Sequence, residues 1–416
     1  MRISQPSMPI FEPRPQPLGP NANMPNIKVL HLISAFQLGG AELVAYRLAK
    51  AVRSVPEGQP NVGKEILHAV AAVWTTESSY QHSFVAACQL AGIPCYWLSK
   101  QGRSIGRFSG WLGLPRVVAD FDPDVIHSHT DIPDFNLALY LRFLGGSRKS
   151  IKVVRTIHNE VLWPTNRFLA QLTESAFQDL QLAKPETIVG ISAPTLSAYQ
   201  QLRRSLDLPQ TQDQQIIQNP GRGPGQPVDY RDLDVGPLKL LFAGRLTHQK
   251  GFDLLIEALL LLPPLVATQL RLTLYGEGDL ASLLKKLDQG GIPYSHHEPV
   301  FDLPNQFRDY HCLLMPSRFE GVPLALAEAA AVGLPILSGP PKGMVDQLPT
   351  DWPYILKPEF EASDLAAMIE RIITNKTQLP GLSAELLAHS AGQEEQFRTS
   401  VDQYAKVYAA SQETME

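Results

Sequence analysis

The sequence predicts an α/β protein built from two doubly wound domains that face each other across a central cleft. Short apolar runs alternate with segments of helical periodicity, a pattern typical of parallel sheets covered on both faces. The alternation stops at a stretch rich in Gln, Pro and Gly and then restarts, which indicates two domains. The length of 416 residues is sufficient for two cores of ordinary size.

The composition is typical of a folded protein from a reducing compartment. Hydrophobic residues make up 44% of the chain and charged residues 19%, so extended disorder is not expected. Cys88, Cys95 and Cys312 form neither a disulfide framework nor a Cys-x-x-Cys metal motif. The sequence shows no signal peptide and no run of about 18 apolar residues. We therefore expect a cytoplasmic location.

The first domain follows a proline-rich start. Residues 1–25 contain seven prolines and are predicted to be a flexible extension outside the fold. Residues 26–215 then form the N-terminal domain. Its predicted strands are short apolar runs at residues 27–34, 66–74, 93–99, 124–130, 152–158 and 187–192.

The second domain begins after a linker predicted at residues 216–237. Residues 238–394 form the C-terminal domain. Its predicted strands span residues 238–244, 270–276, 311–317 and 335–339. Residues 395–416 contain an amphipathic segment, predicted to be a helix that closes back on the N-terminal domain. Ligands of such sheets bind beyond the carboxyl ends of the strands, so we expect a site in the cleft.

Two carboxylates stand out in "RFEGVPLALAEAAAVGLPI", residues 318–336. Glu320 precedes a predicted helix, and Glu328 lies inside it among apolar residues. Burying a carboxylate without partners costs several kcal/mol, so Glu328 must be held by something. The pair could accept hydrogen bonds from two sets of hydroxyls on one elongated ligand. The alternative is a solvated Glu320 and a Glu328 that is paired with an Arg or Lys.

Two cations lie at the mouth of another strand–helix unit, "LFAGRLTHQKGFDLLIEAL". Arg245 follows the strand, and Lys250 comes just before the helix. Together they could clamp a diphosphate, although they could also be ordinary surface cations. The helix that is predicted to begin at Pro323 would add the free amides of Leu324 and Ala325, which favour a phosphate.

A glycine pair follows the first strand in "AFQLGGAELV". Gly39 and Gly40 would let the backbone approach a ligand closely at the start of a helix. The pattern is not Gly-x-Gly-x-x-Gly, so a dinucleotide site is not supported.

Taken together, these motifs resemble the family 4 retaining glycosyltransferases, also described as group 1 glycosyl transferases. The resemblance covers residues 27–347 and is carried by "GRLTHQKGFDLLIEA", "YGEG", "PSRFEGVPLALAEAAAVGLPI", "GGAE" and "TIHNE". It implies the GT-B fold, in which two doubly wound Rossmann-like domains face a central cleft. It also implies transfer of a sugar from a nucleotide-diphosphate donor, for which we expect UDP, and a cytoplasmic role in glycan or polysaccharide biosynthesis.

The resemblance implies a role for each motif residue. Glu320 would accept from donor-sugar hydroxyls and Glu328 from the ribose. Arg245 and Lys250 would hold the diphosphate together with the amides of Leu324 and Ala325. The remaining expected donor-site residues are Val300 at the base, Gly40 at the phosphates, His158 near the transfer centre, and Gly39, Gly276 and Gly321.

The expected reaction needs neither a cofactor nor a metal, because side-chain cations and a helix dipole neutralise the diphosphate. Two other functions stay open: a non-catalytic sugar-nucleotide-binding protein and a GT-B nucleotide-sugar epimerase. Two sequence patterns could suggest a metal. "DFDPD", residues 120–124, is interpreted as a turn, and His127, His129 and Asp131 as structural residues near a strand end.

The acceptor is expected to be a glycan or a lipid-linked hydroxyl, and no nucleic-acid partner is expected. Residues 99–116 combine Arg103 and Arg107 with Phe108 and Trp111. Residues 141–155 add five cations, namely Arg142, Arg148, Lys149, Lys152 and Arg155. These two segments would suit an anionic membrane surface or simply be solubilising loops.

Overall fold

The structure is a computed structural model of the full chain. It describes residues 26–37, 39–57, 62–76, 78–144, 151–163, 166–180, 186–219, 226–301, 303–320 and 323–410. The predicted extension at residues 1–25 lies outside the described residues, as do Gly321, Arg148, Lys149 and residues 220–225 of the predicted linker.

The N-terminal domain contains a seven-stranded parallel sheet in the order β3-β2-β1-β4-β5-β6-β7. The strands are β1 Ile27–Ile33, β2 Ile66–Ala72, β3 Cys95–Trp97, β4 Val125–His129, β5 Lys152–Ile157, β6 Glu186–Gly190 and β7 Asp213–Ile216. The strand order reverses between β1 and β4, which creates a crevice at their carboxyl ends.

Helices cover both faces of this sheet. They are α1 Gly40–Ala51, α2 Ser79–Leu90, α3 Arg103–Ser109, α4 Leu114–Phe121, α5 Asp131–Phe143, α6 Arg167–Leu180 and α7 Ala193–Ser205. Local sequence signals set several of their starts. Ser78 caps α2 by accepting from the amide of Gln81, and Ser192 forms a capping box with Thr195 at α7.

The C-terminal domain contains a five-stranded parallel sheet in the order β10-β9-β8-β11-β12. Its strands are β8 Leu238–Ala243, β9 Leu270–Tyr275, β10 Tyr294–His297, β11 Cys312–Met315 and β12 Ile336–Ser338. The strand order reverses between β8 and β11. Its helices are α8 Phe252–Leu261, α9 Pro264–Ala267, α10 Leu284–Gly290, α11 Leu324–Ala331, α12 Lys342–Val345, α13 Ala362–Thr374 and α14 Leu379–Ser390.

Two edge strands, β7 and β10, were not predicted from the sequence. Their sequences, DQQI and YSHH, are mostly polar and lack the apolar run that marked the central strands. Each lies at the rim of its sheet, where side chains remain partly exposed. Strand β7 runs through Ile216, so the boundary predicted between residues 215 and 216 falls inside a strand.

The last helix, α15 Gln393–Ala409, packs on the N-terminal domain. Its Tyr404 and Tyr408 are fully buried against the α1-covered face of the first sheet. The ammonium of Lys152 on β5 donates to the carbonyl oxygen of Val407 at 2.7 Å. The chain therefore crosses to the C-terminal domain and returns to the N-terminal domain with α15.

Lys152 and Arg155 do not belong to an exposed basic surface, and this expectation is wrong. Both lie on β5, whose six residues are all buried. Lys152 bonds to α15, and Arg155 lies on the opposite face among acidic side chains. A central strand of a doubly wound sheet is covered on both faces, so neither side of β5 can present cations to solvent.

Candidate active site

A cavity of about 340 Å³ lies between the two domains. It is found beyond the carboxyl ends of β1, β4 and β5 on one side and of β8 and β11 on the other, where both sheets reverse their strand order. Its lining includes most of the predicted site residues: Gly39, Gly40, His158, Arg245, Lys250, Val300, Glu320, Leu324, Ala325 and Glu328.

Lys250 and Glu320 form an ion pair in the cavity wall. The Glu320 side chain is 9% exposed, and its Oε1 accepts from Lys250 and from the hydroxyl of Ser317. Its second oxygen, Oε2, has no hydrogen-bond partner among the described residues. The carboxylate is thus held by protein groups through one oxygen, and the other is left for a ligand.

Glu328 is held across the cleft by Arg47 of α1. The carboxylate is 5% exposed and again uses only Oε1, while Oε2 has no partner among the described residues. An arginine from the other domain compensates the buried charge, as the alternative interpretation of the sequence allowed.

Arg47 is a site residue that the sequence analysis missed. Its partner is 281 residues away in the chain, so no local sequence pattern marks the pair. Aromatic contacts join the domains beside it. Phe301 of the C-terminal domain meets Tyr46 at a ring-centroid distance of 4.9 Å and Phe84 at 5.2 Å.

Arg245 lies at the mouth of β8, as predicted. Its Nη2 donates to Oε1 of Gln249 at 2.8 Å. The turn behind it depends on Gly251, which has a φ of 68° and closes against β11. A Cβ at Gly251 would lie 1.9 Å from the carbonyl oxygen of Pro316, so only glycine fits. This close packing fixes the position of the loop that contains Arg245 and Lys250.

The N-terminus of α11 points into the cavity. Pro323 is the cap residue rather than the first helical residue, one position from the predicted start. The amides of Leu326 and Ala327 donate to the carbonyl of Pro323, and the two preceding amides belong to the cavity-lining residues Leu324 and Ala325. Amides at this position have no carbonyl acceptor inside the helix, and with the helix dipole they favour an anion.

The opposite wall is formed by the start of α1. A Cβ on Gly40 would meet nothing within 4 Å, whereas one on Gly39 would lie 2.0 Å from Oε2 of Glu42. Glu42 lines the cavity and was not singled out before, although it stands in the "GGAE" motif. Burial raises its pKa, against the hydrogen bond from Gln37 and the charge of Arg245.

Val300 lines the cavity and is 38% exposed. Gly276, in contrast, is not part of the lining. A Cβ there would lie 1.9 Å from the carbonyl oxygen of Gly244, so this glycine lets two loops of the C-terminal domain approach each other. Gly276 therefore lies behind the residues that line the cavity.

His158 lines the cavity at the end of β5 and is 8% exposed. Its Nε2 lies 3.2 Å from Nδ1 of His129. Burial lowers the pKa of His158 to about 3, so its imidazole is neutral near pH 7.

The residues considered as metal ligands have other partners. His127 and His129 lie close to His31, near enough for three ligand atoms to share an ion. All six ring nitrogens of these histidines already have hydrogen-bond partners. Asp131 is not part of this group, because its Oδ2 accepts from the amide of Trp163 at 2.9 Å.

In the segment 120–124, the structure supports the interpretation as a turn. Asp122 ends α4 in the left-handed region with a φ of 50°. Oδ2 of Asp124 accepts from the amide of Lys28 at 2.8 Å, which ties the start of β4 to β1.

No helix in the part of the chain that the structure describes is both long enough and apolar enough to span a bilayer.

The curated proteins similar to this chain are bacterial and match part of its length. The amylovoran biosynthesis glycosyltransferase AmsK of Erwinia amylovora is 31% identical over 156 residues, which are 35% of this chain and 38% of that protein. An uncharacterized 41.2 kDa protein in the cps region of Klebsiella pneumoniae is 24% identical over 264 residues, or 58% of this chain and 67% of that protein.

Solved structures match nearly the whole chain. Anabaena Alr3699/HepE in complex with UDP and glucose gives a TM-score of 0.70 at 17% identity, covering 92% of this chain and 100% of that one. The sucrose-phosphate synthase of Thermosynechococcus elongatus gives 0.67 at 14% identity, with coverage of 92% and 100%. At these identities the likeness establishes the fold.

Each of the two domains matches one family description. Residues 38–207 match Glycosyltransferase Family 4, and residues 231–386 match Glycosyl transferases group 1. The first range covers most of the seven-stranded domain, and the second covers most of the five-stranded one. The chain therefore belongs to the family 4, group 1 glycosyltransferases and has the GT-B architecture of two facing Rossmann-like domains.

Proposed function

We propose that the chain is a retaining glycosyltransferase that moves a sugar from a UDP-linked donor to a hydroxyl acceptor in polysaccharide biosynthesis. The observation that carries this proposal is the composition of one cavity. Arg245, Lys250 and the N-terminus of α11 supply positive potential there. In the same cavity Glu320 and Glu328 each have one carboxylate oxygen without a partner among the described residues.

The donor fits this arrangement from its charged centre outward. The diphosphate lies against Arg245, Lys250 and the amides of Leu324 and Ala325, in place of the pairing between Lys250 and Glu320. The free oxygen of Glu320 then accepts from sugar hydroxyls, and that of Glu328 accepts from the ribose. The base lies at Val300. In the Anabaena protein the same fold is described in complex with UDP-glucose, which supports UDP as the nucleotide.

The chemistry follows from the charge that develops on the leaving group. The bond between the anomeric carbon and the diphosphate breaks, and a bond to the acceptor oxygen forms on the same face. The acceptor proton passes to the departing phosphate oxygen. The described carboxylates that line the cavity are Glu42, Glu320 and Glu328, and each is already held by a protein group. Charge stabilisation by the cations and the helix amides therefore carries most of the catalysis.

A donor panel separates this proposal from its alternatives. UDP-, GDP- and ADP-sugars are added to the protein, and a ligand at 100 times its dissociation constant should raise stability by about 2.7 kcal/mol. The best donor is then incubated with crude glycan and lipid acceptors. A glycosylated product with retained configuration supports the proposal. Binding without product favours a sugar-nucleotide-binding protein, and conversion of the donor without acceptor favours an epimerase.

The same assay tests independence from metals. Because two cations and a helix N-terminus already meet the diphosphate, we expect EDTA to leave the turnover unchanged. Loss of turnover with EDTA, restored by Mn²⁺ or Mg²⁺, would contradict the proposed role of the cations.

We also propose that the N-terminal domain touches an anionic membrane surface to reach a lipid-linked acceptor. Helix α3 and the following turn expose Ile105, Phe108 and Leu112 at 59%, 43% and 59%, and the end of α5 adds Phe143 at 65%. Trp111 and Phe143 lie together at a ring-centroid distance of 6.2 Å. Exposed cations, including Arg103, border these apolar side chains.

Vesicle co-sedimentation tests the membrane contact. Anionic vesicles at low salt should bind the protein, whereas neutral vesicles or high salt should release it. Reversing the charge at Arg103 should weaken binding, and reversing it at the exposed Lys286 of the other domain should not. Equal binding to neutral vesicles would favour a soluble acceptor instead.

A further inference from the structure

Four buried histidines form one hydrogen-bonded chain from the core of the N-terminal domain to the cleft. His68 on β2 lies 3.0 Å from His31 on β1, and His31 lies 3.1 Å from His129 on β4. His129 lies 3.2 Å from His158, which lines the cavity. At the inner end, Nε2 of His68 lies 2.5 Å from the carbonyl oxygen of Val52.

The inner end fixes the direction of every bond in this chain. A carbonyl oxygen only accepts, so Nε2 of His68 carries the proton and donates to Val52. A neutral imidazole has one donor and one acceptor nitrogen, so Nδ1 of His68 accepts from Nε2 of His31. The reverse direction would set two acceptors against each other at Val52 and leave a buried polar group unsatisfied.

The same rule passes outward through the remaining two bonds. Nδ1 of His31 accepts from Nε2 of His129, and Nδ1 of His129 accepts from Nε2 of His158. Nδ1 of His158 is therefore the nitrogen with a lone pair. It has no partner among the described residues, and it is not one of the buried polar atoms sealed from solvent.

One donor and one acceptor nitrogen are found only in a neutral imidazole ring, and burial keeps these rings neutral. Desolvation lowers the pKa of His68 and His158 to about 3 and lowers those of His31 and His129 well below 6.5. His127 packs beside the chain, and its two nitrogens bond to Tyr408 and Thr156 instead. Each histidine of the chain therefore has one proton near pH 7.

We propose that the carbonyl of Val52, acting through His68, His31 and His129, fixes Nδ1 of His158 as an acceptor and so selects donor sugars that present a hydroxyl to it. This inference rests on the proposed function. A hydroxyl can donate to the lone pair, whereas a carboxylate, a fluorine or a hydrogen at that position cannot. His68, His31 and His129 are positioning residues, because they act on the ligand through His158.

Nitrogen-15 NMR of the full chain labelled at histidine tests the chain without any ligand. His158→Gln identifies the His158 signals by their loss. We expect a protonated Nε2 and an unprotonated Nδ1 for His158 at pH 7. A protonated Nδ1, or an equal mixture of the two tautomers, would overturn the proposal.

Two variants at the far end test the coupling. In His68→Gln, the amide nitrogen can still donate to Val52 and the amide oxygen can still accept from His31, so the His158 signals should stay unchanged. In His68→Leu the hydrogen bonds to Val52 and His31 are lost, and the His158 signals should move toward those of a tautomer mixture. Unchanged signals in a folded His68→Leu would show that Val52 does not control His158, and the wild-type spectrum remains decisive if that variant does not fold.

The selection is measured with UDP-glucose, UDP-glucuronate and the monodeoxy and monofluoro analogues of UDP-glucose. One deoxy position should lose about 10- to 100-fold in affinity, and fluorine there should not restore it, because fluorine accepts but does not donate. His158→Phe should abolish that difference. Equal affinity for all these ligands would overturn the proposed selection. If the tautomers are as expected but none of these ligands binds, the result would count against the proposed function.

Discussion

The C-terminal domain packs its sheet with apolar side chains, whereas the N-terminal domain buries polar groups on both faces of its sheet. In the second domain one continuous cluster runs from Leu233 to Leu386. In the first, the histidine chain lies under α1 and α15, and a charged network lies under α5, α6 and α7. The domain that carries Arg245 and Lys250 thus has the apolar core, and the domain that carries His158 has the polar one.

The charged network is centred on Arg155. Its guanidinium bonds to Asp134 at 2.9 Å, Glu174 at 2.5 Å and Glu186 at 3.0 Å, and Arg203 adds a second cation at 3.2 Å from Glu174. Buried ions are costly unless each is compensated, so this network fixes the relative positions of α5, α6 and α7 rather than adding much net stability. We therefore expect the two domains to differ in how their stabilities change with pH and with the loss of one charged partner.

Acid should unfold the N-terminal domain first, and this is the largest expected effect. Burial lowers the pKa of five histidines there: His31, His68, His127, His129 and His158. Below about pH 6.5 the unfolded chain then binds more protons than the folded protein, so stability falls as the pH falls, by up to about 1.4 kcal/mol per pH unit for each histidine. Hydrogen exchange from pH 7.5 to pH 5 measures this for each domain.

The contrast between domains supplies the control for that experiment. Strands β8, β9 and β11 should keep their protection at a pH where β1, β4 and β5 have lost it. Equal loss of protection in both sheets would mean that the histidine chain does not set the acid stability.

Arg155→Met should destabilise the N-terminal domain by about 3–5 kcal/mol, because it leaves buried carboxylates without their cation. Arg142→Met is the matched control. Arg142 also bonds to an aspartate at 2.9 Å, but that pair is about half exposed and should contribute less than about 1 kcal/mol. Denaturant unfolding of both variants measures the difference. A small effect of Arg155→Met would show that the network is replaceable.

Asp131 should affect the pH dependence of stability in the opposite direction to the histidines, and Asp131→Asn should remove that effect. Burial raises the pKa of Asp131 from 3.8 to about 7, partly offset by the amide of Trp163. The folded protein thus holds this proton more tightly, and ionisation destabilises it as the pH rises from about 4 to about 7.

Across that pH window the free energy of unfolding of Asp131→Asn should rise relative to that of the wild type, by at most about 1.4 kcal/mol per pH unit. Above the window the difference should be constant. Unfolding midpoints at several pH values measure this. The exposed Asp179→Asn serves as the control. A gain that does not vary with pH would assign the effect to something other than ionisation.

Sequence reasoning was most successful where the core is apolar. The strand around Leu240 and the strand around Leu272 are short apolar runs, and their burial follows directly from that pattern. The loop after the first of these strands, which contains Arg245 and Lys250, could be placed for the same reason. Strand β10 was missed because its side chains are polar and partly exposed, so hydrophobic periodicity does not mark it.

The polar interior of the N-terminal domain could not be predicted from the sequence. His31, His68 and His129 come from three strands, and only the register of the sheet brings them together. Lys152 and Arg155 look like surface cations when read as sequence, because their partners lie 255 and 19 to 44 residues away. The pairing of Glu328 with Arg47 across the cleft depends likewise on how two domains meet.

If side-chain cations of the C-terminal domain stabilise the departing diphosphate as proposed, replacing Arg245 or Lys250 with alanine should lower turnover of the UDP-sugar chosen by the donor panel. Each variant should lose about 100-fold in turnover. Arg245→Ala should keep the unfolding midpoint of the wild type, whereas Lys250→Ala should lower it, because Glu320 then lacks its cation. Lys286→Ala, which removes an exposed cation of α10 outside the cavity lining, should keep full turnover. Wild-type turnover in both cleft variants would contradict the proposed role of the two cations.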